Sequence, residues 1–176
     1  MTVSGDVLAR AAQVRLLILD VDGVLTDGKL YFTPDGQEFK GFHARDGHGL
    51  KLLQRSGVET AVISGRSSPA VALRMSSLGV SHVFQGCENK LEPYQILLNR
   101  LNLLPEQTAF VGDDILDLPL MRRAGLAVAV ADAHFSLHAS AHWMTAVAGG
   151  LGAVREVCDL IMQAQKTWQG VLESYY

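Results

Sequence analysis

Acidic residues stand in two tight clusters, and their spacing is the first feature of the sequence that could do chemistry. Asp20-Val-Asp22-Gly-Val-Leu-Thr26-Asp27-Gly28 follows one apolar run, and Gly112-Asp113-Asp114-Ile-Leu-Asp117 follows another. Two carboxylates one residue apart raise each other's cost of ionisation, so the pair needs a compensating charge. A divalent cation would supply it. Hard carboxylate oxygens with open positions suit Mg²⁺, which takes few protein ligands and completes its shell with water and substrate phosphate. Either cluster alone also reads as a solvated turn or a helix N-cap. Both together, with a serine and a lysine at comparable places, favour a reactive site.

Those two residues are Ser64, in Ile63-Ser64-Gly65-Arg66, and Lys90. Ser64 ends an apolar run and can donate its hydroxyl to a phosphoryl oxygen from a fixed position. Lys90 opens a helical pattern, where its ammonium could neutralise both a nucleophilic carboxylate and a phosphate.

Positioning these groups falls to short apolar runs separated by helical patterns. Arg15–Leu19, Thr60–Ile63, Ser81–Phe84, Thr108–Val111 and Leu126–Val130 lack polar alternation and read as strands buried on both faces. Tyr94, Leu97, Leu98 and Leu101 recur at helical spacing, as do Val154, Val157, Cys158 and Ile161. The alternation predicts an α/β fold, a doubly wound parallel sheet. One segment breaks it: two β-prone runs surround Thr33-Pro-Asp-Gly36, which predicts a hairpin over about 29–42 near the carboxyl end of the first strand. Tyr31, Phe32, Phe39 and Phe42 give that hairpin apolar surface to bury. Beyond it, Trp168, Val171, Leu172 and Tyr175 extend a C-terminal tail helix over about 152–176, able to dock on a neighbour or to pack within the chain.

The 176 residues carry 15 Lys+Arg against 18 Asp+Glu, with 48% hydrophobic and 19% charged residues. These figures predict one compact domain over 1–176 and exclude a disordered chain. A formal charge of −3 supplies no field to recruit nucleic acid or an anionic membrane. No apolar run approaches a membrane span, and no basic, apolar leader opens the chain. Cys87 and Cys158 lack the spacing of a zinc site or a disulfide framework, so a cytoplasmic protein is expected. His134, His138 and His142 share helical spacing, but without a strand-end acid they read as surface or capping histidines.

The order DxD, Ser, Lys, GDDxxD, each after a strand, resembles the haloacid dehalogenase superfamily of aspartate-nucleophile phosphotransferases over nearly the whole chain. The resemblance implies that Asp20 is the nucleophile and Asp22 the general acid/base. It implies Mg²⁺ held by Asp20, the backbone carbonyl of Asp22, and Asp113, with Asp114 and Asp117 as supporting acids and Ser64 and Lys90 as the phosphate-binding pair. A second acid at Asp22 selects phosphoryl transfer over dehalogenation. The large cap of many relatives is absent, because only the hairpin follows Asp22.

Four blocks narrow the likeness: Asp20–Gly28, Phe42-His-Ala-Arg-Asp-Gly-His-Gly-Leu50, Ser64-Gly-Arg-Ser-Ser68 and Gly149-Gly-Leu-Gly-Ala-Val-Arg-Glu-Val-Cys158. Together they are similar to the family of 3-deoxy-D-manno-octulosonate 8-phosphate phosphatases, ring-shaped homotetramers that release phosphate and the free sugar acid for lipopolysaccharide synthesis. That likeness implies a sugar site lined by Asp22, His43, Ala44, Arg45, Asp46, Gly47, Lys51, Arg66, Arg74 and Lys90, partly across a subunit boundary. Guanidinium forks suit the substrate's carboxylate, although any one of these arginines also reads as a solvated side chain. A phosphatase for a nine-carbon, sialic-acid-type 9-phosphate fits the same motifs. Two non-catalytic readings stand beside it: a receiver-like signalling domain, which would lack the DxD pair and its hairpin, and a sugar-phosphate-binding domain without turnover.

Overall fold

The computed structural model describes residues 3–176. Six parallel strands form one sheet in the order β5-β4-β1-β6-β7-β8. They are β1 (Leu16–Leu19), β4 (Glu59–Ile63), β5 (His82–Phe84), β6 (Thr108–Gly112), β7 (Leu126–Ala129) and β8 (Trp143–Met144). Every residue of β1, β6 and β7 is buried, as unalternating apolar strands require. The chain leaves β1 toward β4 and β5, then returns to its other side for β6, β7 and β8. The junction of β1 with β6 is thus the switch point at which open sheets of this kind bind ligands.

Register makes that junction precise to the residue. Leu19 pairs with Val62 on one side and Val111 on the other, so β4 and β6 each run one residue past the end of β1. Asp20 is the next residue out, and its backbone N–H still donates to the Val111 carbonyl at 3.1 Å. Ser64 and Asp113 leave the neighbouring strand ends one residue further out, level with each other.

The connections are α2 (Ala44–Arg55), α3 (Pro69–Leu78), α4 (Leu91–Leu101) and the short α5 (Leu118–Met121). The expected hairpin forms as β2 (Tyr31–Phe32) and β3 (Glu38–Phe39), with Tyr31 opposite Phe39 and Phe32 opposite Glu38. Tyr31 stacks on Phe39 with ring centroids 5.2 Å apart.

Three elements depart from the sequence expectation. A helix α1 (Gly5–Gln13) precedes β1, capped by the Ser4 hydroxyl, which accepts from the Val7 N–H. The two-residue β8 carries no run long enough to signal a strand. The tail is two helices, α6 (Ala153–Ala164) and α7 (Trp168–Glu173). Lys166 turns to φ 60°, while Thr167 N–H reaches the Met162 carbonyl and Lys166 N–H that of Gln163. Those paired bonds terminate α6 even though Lys166, not glycine, takes the left-handed position. Helices α1, α2 and α6 pack together beside the sheet.

Candidate active site

At the adjoining carboxyl ends of β1, β4 and β6 opens a cavity of about 520 Å³, lined by Asp20, Asp22, Ser64, Arg66, Lys90, Asp113, Asp114 and Asp117 among others. Both acidic clusters, the serine and the lysine therefore meet at one place. Lys90 stands just before α4 and aims its buried ammonium at two carboxylates, 2.9 Å from Asp20 Oδ1 and 2.6 Å from Asp117 Oδ1. Burial works against that ammonium, yet Asp117 and Asp20 outweigh it and raise its pKa above the usual lysine range.

Asp117 is already spent on structure. Its Oδ1 accepts from Lys90, and its Oδ2 accepts from the backbone N–H of Asp113 at 2.9 Å and of Asp114 at 3.4 Å. A Cβ on Gly112 would come within 2.6 Å of the Asp117 Cβ, so glycine there lets the carboxylate tuck under the strand end. Asp114 takes the helix-capping role, its Oδ1 accepting from Ile115 N–H at 2.7 Å.

Asp20 and Asp113 keep oxygens free. Burial, with Asp117 adding to it and Lys90 opposing, pushes the Asp20 carboxyl up to about 6. Burial and then the charges of Asp117, Asp20 and Asp114 push Asp113 up to about 8. Asp113 Oδ1 is buried with no hydrogen-bond partner. Oxygens of Asp20, Asp113 and Asp117 lie within 4.8 Å of one another. Clustered hard oxygens that repel one another, one of them orphaned, fit a divalent cation of the Mg²⁺ type.

Glycines hold the loop beyond Asp20 in place. Thr26 Oγ1 accepts from the N–H groups of Gly23 and Gly28, and Gly23, at φ 89°, lies against the Asp113 carboxylate. Gly149 and Gly150 brace the loop from outside. A Cβ on Gly149 would collide with the Gly23 carbonyl, while Gly150 N–H donates to the Val24 carbonyl at 2.9 Å. Ser64 Oγ accepts from Arg66 N–H at 3.3 Å, which leaves its own proton for a ligand.

Several residues assigned to the sugar site lie elsewhere in this chain. His43, Ala44, Arg45, Asp46, Gly47, Lys51 and Arg74 do not line the cavity. Asp46 is buried in the seam between α2 and α6, where its Oδ1 accepts from Arg155 N–H at 2.7 Å. It thereby serves the first turn of α6, whose own preceding residue, Gly152, offers no side-chain cap. Gly47 lies under the Arg74 guanidinium, which also sits 6.0 Å from the Phe42 ring centroid. Gly49 lets Arg155 and Cys158 of α6 approach closely. The blocks 42–50 and 149–158 thus meet each other along this seam. His43 caps α2, and Arg45 and Lys51 are exposed. His134 caps a short helical turn, and His142 Nδ1 accepts from Ala127 N–H at 2.9 Å.

Sequence reasoning missed the charges behind Asp22. Lys40, its side chain 1% exposed, forms ion pairs with Asp22 Oδ1 and, at 2.9 Å, with Glu38. Burial tends to lower the Lys40 pKa, but the bonds to Asp22 and Glu38 prevail and raise it. Arg66 Nε faces Asp22 Oδ2 at 3.8 Å, and Arg66 Nη2 lies 3.4 Å from Glu38. The available signal was the alternation Glu38-Phe39-Lys40, which puts both charges on one face of the strand.

A profile of haloacid dehalogenase-like hydrolases matches residues 46–125. The chain is 51% identical over 163 residues to the 3-deoxy-D-manno-octulosonate 8-phosphate phosphatase of Escherichia coli K12, spanning 93% of this chain and 87% of that one. The crystal structure of the enzyme of that name from Yersinia pestis superposes with a TM-score of 0.93 at 49% identity, covering 94% of this chain and 90% of its own. The Moraxella catarrhalis enzyme, solved in complex with a magnesium ion, a phosphate ion and a KDO molecule, superposes with a TM-score of 0.95 at 37% identity, covering 97% and 98%.

Proposed function

The chain belongs to the 3-deoxy-D-manno-octulosonate 8-phosphate phosphatases of the haloacid dehalogenase-like hydrolases, and from that premise we propose that it hydrolyses this sugar phosphate to the free eight-carbon acid and inorganic phosphate. The observation that carries the reading is the meeting of Asp20, Asp22, Ser64, Lys90 and Asp113 around one cavity at the switch point of the sheet.

The geometry supports a division of labour. Asp20, its Oδ1 held by Lys90, attacks phosphorus, and the bond from phosphorus to the sugar oxygen breaks. Asp22 gives its proton to that departing oxygen, then takes one from the water that attacks the aspartyl phosphate and frees inorganic phosphate. Lys90 offsets the negative charge of nucleophile and phosphoryl group alike, and the Ser64 hydroxyl donates to a phosphoryl oxygen. Asp20, Asp113 and the Asp22 carbonyl are the proposed holders of Mg²⁺, which when bound neutralises phosphoryl charge. Asp117 and Asp114 support them, Asp117 by fixing Lys90 and the Asp113 backbone.

Arg66 lines the cavity and is the proposed partner of the sugar carboxylate within the chain. The exposed Arg45 and Lys51, with His43, Ala44 and Arg74, belong in this proposal to the site of a neighbouring subunit. A homotetramer built through the hairpins agrees with Leu30, Phe32 and Phe39, which remain 46%, 57% and 52% exposed in the single chain. The proposed setting is the cytoplasm and lipopolysaccharide synthesis; among the described residues no helix is long and apolar enough to cross a membrane.

Phosphate release from eight- and nine-carbon 2-keto-3-deoxy sugar phosphates in Mg²⁺ tests the reading. The highest kcat/KM is expected for the eight-carbon substrate. Preference for the nine-carbon one would reassign the substrate, and release from neither would overturn the function.

A further inference from the structure

We infer that Lys40 and Glu38 of the hairpin are positioning residues that hold the Asp22 carboxylate in its working orientation. The inference rests on the proposed role of Asp22 as the acid that serves the departing sugar oxygen.

Asp22 lies in the loop just past β1, where backbone bonds alone leave its side chain free to rotate. Two cations from different parts of the chain remove that freedom. Lys40 engages Oδ1 from the hairpin, and Arg66 faces Oδ2 at 3.8 Å from beyond β4. Glu38 joins the two, 2.9 Å from Lys40 Nζ and 3.4 Å from Arg66 Nη2. A buried ammonium is tolerated when its charge is paired, and Asp22 and Glu38 together supply that pairing, so losing Asp22 leaves Lys40 with half of its charge partners.

Neither Lys40 nor Glu38 lines the cavity, whereas Asp22 and Arg66 do. The pair therefore stands behind the reacting face and acts through Asp22, not on the substrate. Arg66 is half-exposed and can turn to an incoming carboxylate, but Lys40 has no such outlet. This gives the hairpin a task inside its own chain, separate from any contact it makes with a neighbour. Misplacing a catalytic group by about 1 Å can cost on the order of 10² in rate.

The test compares Lys40→Met, Lys40→Arg and Glu38→Gln with the wild type, using steady-state kinetics and amide hydrogen exchange across residues 29–42. Lys40→Met is expected to lower kcat at least tenfold with KM within threefold, Lys40→Arg to recover part of the loss, and Glu38→Gln to fall in the same direction by less. In exchange, Lys40→Met loosens the hairpin, and adding it to Asp22→Asn loosens it no further. A kcat for Lys40→Met within twofold of wild type, a loss confined to KM, or additive exchange effects would overturn the assignment. Should the wild type release no phosphate from the sugar phosphate, the proposed function fails on its own, and the exchange comparison still decides whether Lys40 holds Asp22.

Discussion

The strand-end cluster and the seam between α2 and α6 carry equally distinctive sequence, yet they do different work. Around Asp20 the side chains converge because three adjacent parallel strands end within one residue of one another and each delivers its next residue into one cavity. Around Asp46 the same kinds of residue, acids, arginines and glycines, are consumed in joining two helices. Polar residues at the carboxyl end of a buried strand have few alternatives to facing a ligand. Those at the start of a helix can equally well satisfy another helix's backbone.

Substitutions that separate chemistry from stability sharpen this contrast. Among the variants that keep the nucleophile, Lys90→Met should give the largest effect, a fall in kcat on the order of 10³ with some loss of thermal stability, because Asp20 and Asp117 then face each other unpaired. A kcat within tenfold of wild type would break the account of the cluster.

Mg²⁺ comes next. With Asp113 pushed up to about 8 and Asp20 to about 6, the metal-free fold binds more protons than the unfolded chain from the ordinary carboxylate range up to those values. Its stability therefore falls as pH rises through that window. Mg²⁺ at pH 8 should raise Tm, by an amount equivalent to about 2.7 kcal/mol at a hundredfold excess over Kd. Asp113→Asn should lose that response; an undiminished response would move the metal away from Asp113.

In the seam, Asp46→Ala should cost about 1–2 kcal/mol in denaturant unfolding by uncapping α6, with kcat within threefold. A loss of kcat without a loss of stability would return Asp46 to the active site. Arg45→Ala should be the mildest, within about 0.5 kcal/mol in stability. In the assembled protein its KM should rise with kcat unchanged, and an unaltered KM would remove Arg45 from the shared site.

The legible and hidden parts of the molecule differ in a physical way. Unalternating apolar runs announce β1, β4, β6 and β7, so Asp20, Ser64 and Asp113 could be placed at strand ends before any coordinates. The hairpin was equally plain from Pro34-Asp35-Gly36 between β-prone runs. Strand β8 stayed hidden because two residues carry no period, and the break at Lys166 because its left-handed turn lacks the usual glycine. The burial of Asp46 stayed hidden because a buried acid and a solvent-facing one look alike in sequence, and only the approach of α6 tells them apart. Lys40 and Glu38 were overlooked for the same reason: charges alternating on a short hairpin ordinarily face water, and here Asp22 draws them inward.

The central claim is that Asp20 performs the chemistry at a preformed strand-end cluster. Phosphate release from 3-deoxy-D-manno-octulosonate 8-phosphate in Mg²⁺, measured for the wild type and Asp20→Asn alongside molecular mass by light scattering, tests it most directly. The account predicts turnover by the wild type and none above background for Asp20→Asn at unchanged mass and fold. Substantial turnover by the variant would contradict it.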